Sequence, residues 1–198
     1  MLFVGLTGGL GSGKSEALAA FERLGAATLS SDAVVHELLG TPEVRDLLHE
    51  RWGDRVLAGP DVDRATVASI VFEHPDELKW LEGTLFPRVG ERTAAWRAEL
   101  ERSESSPDVA VVEVPLLFEA GIEGAFDATV AVGAAEEPRA QRAAARGHEG
   151  VEGRAGRQLS QDEKAARADF VVRNDGSLAE LEGTVGRVLD ELRARVTR

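Results

Sequence analysis

Residues Gly8-Gly9-Leu10-Gly11-Ser12-Gly13-Lys14-Ser15 carry the spacing G-x-x-x-x-G-K-[ST], and each residue type in it has a physical task. Glycines let successive backbone N–H groups turn inward around a phosphate, where a Cβ would obstruct the approach. Lys14 brings a cation and Ser15 a hydroxyl that can ligate Mg²⁺. Gly8, Gly11, Ser12, Gly13, Lys14 and Ser15 are the candidate contacts for a nucleoside triphosphate. A ligand-free glycine-rich turn is the simpler reading, but here an apolar run, Leu2 to Leu6, precedes the loop and a helical pattern, Glu16 to Leu24, follows it. That order aims helix N-terminal N–H groups at the anion as well. A dinucleotide fingerprint fits Gly9 to Gly13 only by stretching its spacing, and no acidic residue follows at the required distance.

A triphosphate loop alone does not choose between a kinase, a GTPase and a motor, so the residues around it must decide. Asp32 follows the apolar run Ala27-Thr28-Leu29, at the end of a strand where the acceptor of a phosphoryl group would lie in an open α/β sheet. A carboxylate there can orient or deprotonate an attacking hydroxyl and can hold a magnesium-bound water. Alternatively it caps a helix starting at Ala33. Val109 to Glu113 is an apolar strand ending in an acid, and Glu113 is a second candidate to reach Mg²⁺ through water; Pro115-Leu-Leu-Phe-Glu119 follows it. Between residues 139 and 167 seven Arg/Lys face four Asp/Glu, and Arg142 and Arg146 share one helical face at i, i+4. Arginines that close over phosphates neutralise the charge that builds up in transfer; the alternative is a solvated basic face partnered by Glu149 and Glu152. The four histidines (36, 49, 74, 148) have no metal-ligand spacing, and Trp52, Trp80 and Trp96 read as core packing.

These residues need a scaffold. Apolar runs at 2–6, 27–29, 109–114, 128–132 and 170–172 read as strands, and helical patterns separate most of them. The last pattern places Leu181, Val185, Val188, Leu189 and Leu192 on one face of a closing amphipathic helix. Strands alternating with helices predict a mostly parallel sheet covered on both faces. Residues 36–106 supply no comparable strand but several helical patterns, punctuated at Gly40, Gly59-Pro60, Pro75 and Pro87, so a helical insertion is expected there.

The chain has 198 residues, no cysteine and a formal charge of −12. Disulfides, thiolate catalysis and zinc-thiolate sites are excluded. The overall negative charge disfavours nucleic acid and anionic membranes as partners. The N-terminal apolar run is too short to span a bilayer and lacks a basic leader, which makes a cytoplasmic protein the expectation.

Taken together, Gly5-Leu-Thr-Gly-Gly-Leu-Gly-Ser-Gly-Lys-Ser15, Asp32, Val114-Pro-Leu-Leu-Phe-Glu119 and the stretch Glu163 to Gly176, with its Ala168-Asp169 and Asn174-Asp175-Gly176, resemble the dephospho-CoA kinase family essentially end to end. The resemblance implies ATP- and Mg²⁺-dependent phosphorylation of the 3′-hydroxyl of dephospho-CoA, with dephospho-CoA and ATP as the small-molecule partners. It implies a P-loop kinase core with a parallel sheet flanked by helices (1–35, 107–138, 165–198), a helical acceptor-binding insertion (36–106) and a basic lid (139–164). By matching position, Gly11 to Glu16 would hold ATP phosphates, Asp32 would act on the acceptor hydroxyl, and Arg142 would lie over the phosphates; Arg146 is a further candidate for ATP from its i, i+4 spacing alone. The chain departs from the family pattern at Ser30 (an Asp there), Phe86 (a His), His36 (an Arg) and Glu16 (a Thr). Another small-metabolite or nucleoside kinase, or a slow nucleotide-hydrolysing switch, are the rival readings; no Asn-Lys-x-Asp sequence supports a guanine-specific switch.

Overall fold

A computed structural model describes residues 1–135 and 158–196, which form two compact units: residues 1–30 with 97–198, and residues 31–96. The first unit is built on five parallel strands, β1 (Leu2–Gly8), β2 (Ala27–Ser30), β5 (Val109–Glu113), β6 (Ala128–Gly133) and β7 (Phe170–Arg173), in the order β2-β5-β1-β6-β7. β1 therefore lies in the middle, with Leu6 opposite Glu113 on one side and Val130 on the other. Every residue of β5 and β6 is buried, as a parallel sheet covered on both faces requires. Helices α1 (Lys14–Arg23) and α7 (Leu178–Val196) supply Ala17, Ala20, Phe21, Leu181, Val185, Leu189 and Leu192 to one cluster with Val4, Leu6, Val111 and Val130. The predicted apolar face of the closing helix is thus the buried one. The short α6 (Gln161–Arg167) also belongs to this unit.

The second unit packs α2 (Ser31–Leu39), α3 (Pro42–Trp52), α4 (Arg64–Glu73) and the part of α5 (Pro75–Arg102) up to Trp96 around Val34, Leu38, Val44, Leu48, Val67, Ile70, Leu81 and Leu85. Two differences from the sequence reading have local causes. Gly59-Pro60 is not mere punctuation: Gly59, at φ 66°, turns a two-stranded ribbon, β3 (Leu57–Ala58) and β4 (Asp61–Val62). Pro87 does not end a helix either; α5 runs through it for 28 residues. The missing N–H leaves the Gly83 carbonyl without its usual partner, a defect a long helix tolerates when the turns on either side are packed.

The tryptophans divide as well. Trp52 is buried, whereas Trp80 and Trp96 are half-buried. Trp52 meets Trp80 edge to face at 5.1 Å and donates its indole N–H to Glu77 at 3.0 Å. Arg51 gives Glu77 two further bonds, and this pairing, followed by the Trp52 hydrogen bond, holds the Glu77 carboxyl below its ordinary range.

Candidate phosphate-binding site

The loop after β1 has the shape its residue types demand. Gly13 sits at φ 89°, ψ 29°, a conformation that costs other residues energy. Gly8 is required for a different reason: a Cβ there would stand 2.4 Å from the Val132 carbonyl oxygen and 2.7 Å from Ser12 Oγ. The loop closes on itself through the Ser12 N–H, which donates to Gly9 O at 3.2 Å, and α1 begins with Ala17 N–H on Gly13 O at 3.0 Å.

The backbone N–H groups of Gly11, Gly13 and Ser15 donate to no acceptor among the described residues. Orphan donors at a helix N-terminus are an anion site in waiting. The Lys14 ammonium donates to Gly9 O at 3.0 Å, so the loop carries a cation of its own. The Ser15 side chain is exposed, whereas Ser12 is fully buried with its Oγ unpartnered. Ser12 therefore contributes backbone, not hydroxyl, to the cradle. A cavity of about 350 Å³ opens between Gly9-Leu10 and residues 158–163.

Two side chains from distant sequence, Gln161 and Asn174, reach this loop, a third, Lys164, ties the end of β1 beneath it, and none was singled out by type or spacing. Gln161, at the start of α6, brackets Ala134 by accepting from its N–H (2.9 Å) and donating to its carbonyl (3.0 Å), and its Cγ lies against Gly9. Asn174, just past β7, donates to the Ser12 carbonyl at 2.9 Å. Lys164 is wholly buried: its ammonium donates to Pro115 O (2.6 Å), reaches Thr7 Oγ1 (3.4 Å) and pairs with Glu119 (2.9 Å). The same Glu119 oxygen accepts from Leu159 N–H at 2.8 Å.

Lys164, counted by sequence among the cations of the basic segment, is thus a buried tie beneath the loop and is withheld from any solvent anion. Arg167 is likewise engaged, paired with Glu123 and lying 4.7 Å over the Phe118 ring. Asp169 accepts from Thr129 N–H (2.8 Å) and Oγ1 (2.9 Å) and fastens α6 to β6, a structural task.

Asp32 lies in the first turn of α2, two residues beyond the end of β2. The helix begins at Ser31, not Ala33, so Asp32 is inside the helix and is not its cap. Its carboxylate is exposed and makes no hydrogen bond or ion pair with any described residue. Glu113 is buried, opposite Leu6 and Ser30 in the sheet. Glu16 is half-buried in the first turn of α1 and keeps a partner. Arg142 and Arg146 lie outside the described residues.

Among the described residues no group of three or more His, Asp or Glu stands together as a metal site. Mg²⁺ carried in on phosphates keeps most of its waters and takes few protein ligands. Ser15, exposed beside the orphan N–H groups, fits that requirement. Nor is any helix among the described residues long and apolar enough to cross a membrane.

Comparison with known proteins agrees with this geometry. A crystal structure of a protein from Thermus thermophilus superposes with a TM-score of 0.77 at 35% identity, covering 96% of this chain and 97% of the other. A shikimate kinase from Acinetobacter baumannii, at 11% identity and a TM-score of 0.52 over 98% and 94% of the two chains, shares the fold. The dephospho-CoA kinase of Thermobifida fusca is 36% identical over 99% of this chain and 98% of its own, and that of Deinococcus radiodurans 37% identical over 96% and 91%. Residues 2–180 match the family profile described as CoaE, dephospho-CoA kinase, and the chain belongs to that family of ATP-dependent kinases.

Proposed function

We propose that the chain transfers the γ-phosphoryl group of MgATP to the 3′-hydroxyl of the ribose of dephospho-CoA, giving coenzyme A and ADP. The observation that carries the nucleotide half is the set of unpartnered N–H groups at Gly11, Gly13 and Ser15 in the same loop whose Gly9 carbonyl holds the Lys14 ammonium. The acceptor is supported by family membership and by full-length likeness to dephospho-CoA kinases.

In this reading the loop N–H groups and Lys14 bind the β- and γ-phosphates and face the charge that spreads over the γ-oxygens in the transition state. Ser15 would hold Mg²⁺, which would neutralise phosphate charge, and Glu113 and Asp32 are candidates to reach it through water. Asp32, exposed and unpaired, accepts the proton of the 3′-hydroxyl as its oxygen bonds to the γ-phosphorus and the bond to the β,γ-bridging oxygen breaks. Arg142 and Arg146 are assigned the phosphate-covering role; if neither Arg142→Ala nor Arg146→Ala altered the rate, that assignment would be rejected.

The test is transfer from ATP with product identification by mass, offering dephospho-CoA against adenosine, shikimate and simple sugars. The expected result is one added phosphoryl group on dephospho-CoA alone. Preferential phosphorylation of another acceptor, or ATP binding without transfer, would overturn the acceptor assignment.

A further inference from the structure

The Ser12–Gly13 peptide of the phosphate loop has no backbone hydrogen bond at its carbonyl or at its N–H among the described residues. Gly13 has no side chain to restrain the rotation of the peptide unit before it, and its N–H finds no protein acceptor among the described residues. What fixes it comes from the far end of the chain. The Asn174 carboxamide, only 4% exposed, donates to Ser12 O at 2.9 Å.

That donor is itself rigidly placed. The Asn174 backbone N–H is bonded to Gly133 O at 2.8 Å, and the next side chain, Asp175, accepts from Ala135 N–H at 2.5 Å. The ends of β6 and β7 therefore hold the residue from both sides, and the carboxamide points at one carbonyl of the loop.

Because a trans peptide is planar, its C=O and N–H point in opposite directions. Holding Ser12 O toward Asn174 keeps the Gly13 N–H directed away from it and available to an anion. Rotation of that peptide would replace a donor with a carbonyl oxygen, which repels phosphate. We propose that Asn174 is a positioning residue for phosphoryl transfer, locking the Ser12–Gly13 peptide in its phosphate-donating orientation. The inference rests on the nucleotide site proposed above.

Asn174→Ala, and Asn174→Ser should the alanine variant not fold, are compared with the parent chain by calorimetric titration of MgATP and of adenosine, with steady-state kinetics in parallel. The variant should bind MgATP about tenfold more weakly, the loss of roughly one buried hydrogen bond's ordering. Adenosine affinity and the KM for dephospho-CoA should be unchanged, because neither ligand depends on the Gly13 N–H. A merely structural role would weaken all three together, and that result, or MgATP affinity within twofold of the parent, would overturn the assignment. Failure of the parent chain itself to bind MgATP would instead remove the nucleotide reading, and Asn174's role with it.

Discussion

At the scale of single residues, the site is sharply divided between groups that face solvent and groups that hold them there. Asp32, with its exposed carboxylate, belongs to the first kind, and the half-buried Lys14 stands between the two. Lys14→Ala should weaken MgATP binding and lower kcat together, since one ammonium serves both ground and transition state. Asp32→Asn should leave MgATP affinity nearly intact and depress kcat by at least about a hundredfold, the lower end for losing a general base; wild-type turnover would take Asp32 out of the chemistry. Gly8 belongs to the second kind. Gly8→Ala must push a methyl into the Val132 carbonyl, so strands β1 and β6 have to separate. Overpacking of this sort costs about 1–3 kcal/mol, measurable as a lowered urea midpoint, together with loss of ATP binding. The loop glycines, Lys14 and Ser15 were proposed from sequence because their spacing is local, and Asp32 because it follows an apolar strand. Asn174 and Gln161 were not singled out for a role, since their partners lie 162 and 27 residues away and a lone amide carries no sign of what it bonds.

At the scale of elements, α6 is where the sequence reading needed most correction. Composition placed Lys164 in a basic segment, yet the helix turns it inward to Glu119, Pro115 and Thr7. Lys164→Met leaves Glu119 uncompensated and should destabilise the fold by about 3–5 kcal/mol, whereas Lys164→Met with Glu119→Leu should recover much of that loss. Denaturant titrations of the two variants decide it; equal losses would mean that the pair is not the source. The start of α6 is secured by a capping box in which Ser160 and Glu163 exchange bonds, and the start of α7 by Ser177 and Glu180 in the same arrangement. Both S-x-x-E spacings stand in the sequence and mark helix starts. The Ser177 backbone N–H, then its hydroxyl, lowers the Glu180 carboxyl, and the Ser160 hydroxyl followed by its N–H lowers Glu163. A depressed carboxylate stabilises the fold above its ordinary value of 4.5, and that stability is lost as pH falls through the folded value. Glu180→Gln keeps the box without the charge, so its unfolding temperature should decline less between neutral and acid pH than that of the parent chain.

At the scale of the whole molecule, ligand binding and stability are linked. A ligand that binds only the folded chain stabilises it by about 2.7 kcal/mol at a hundred times its Kd. For a chain of this size that raises Tm by roughly 5–10 °C. MgATP should do so in thermal melts, with a smaller shift once EDTA removes Mg²⁺; no shift at saturating nucleotide would contradict the site. By itself the sequence determined the parallel α/β core, the mainly helical character of the insertion expected at residues 36–106, the phosphate-loop motif and the family, because each rests on near-neighbour periodicity or a contiguous motif. It did not show that Pro87 is carried inside one long helix, that Lys164 is buried, or that Ser12 turns its hydroxyl inward and its carbonyl to Asn174. Those outcomes depend on which segments the sheet order β2-β5-β1-β6-β7 brings side by side. Burial and hydrogen-bond pairing across more than a hundred residues are properties of the packed chain, and no local spacing encodes them.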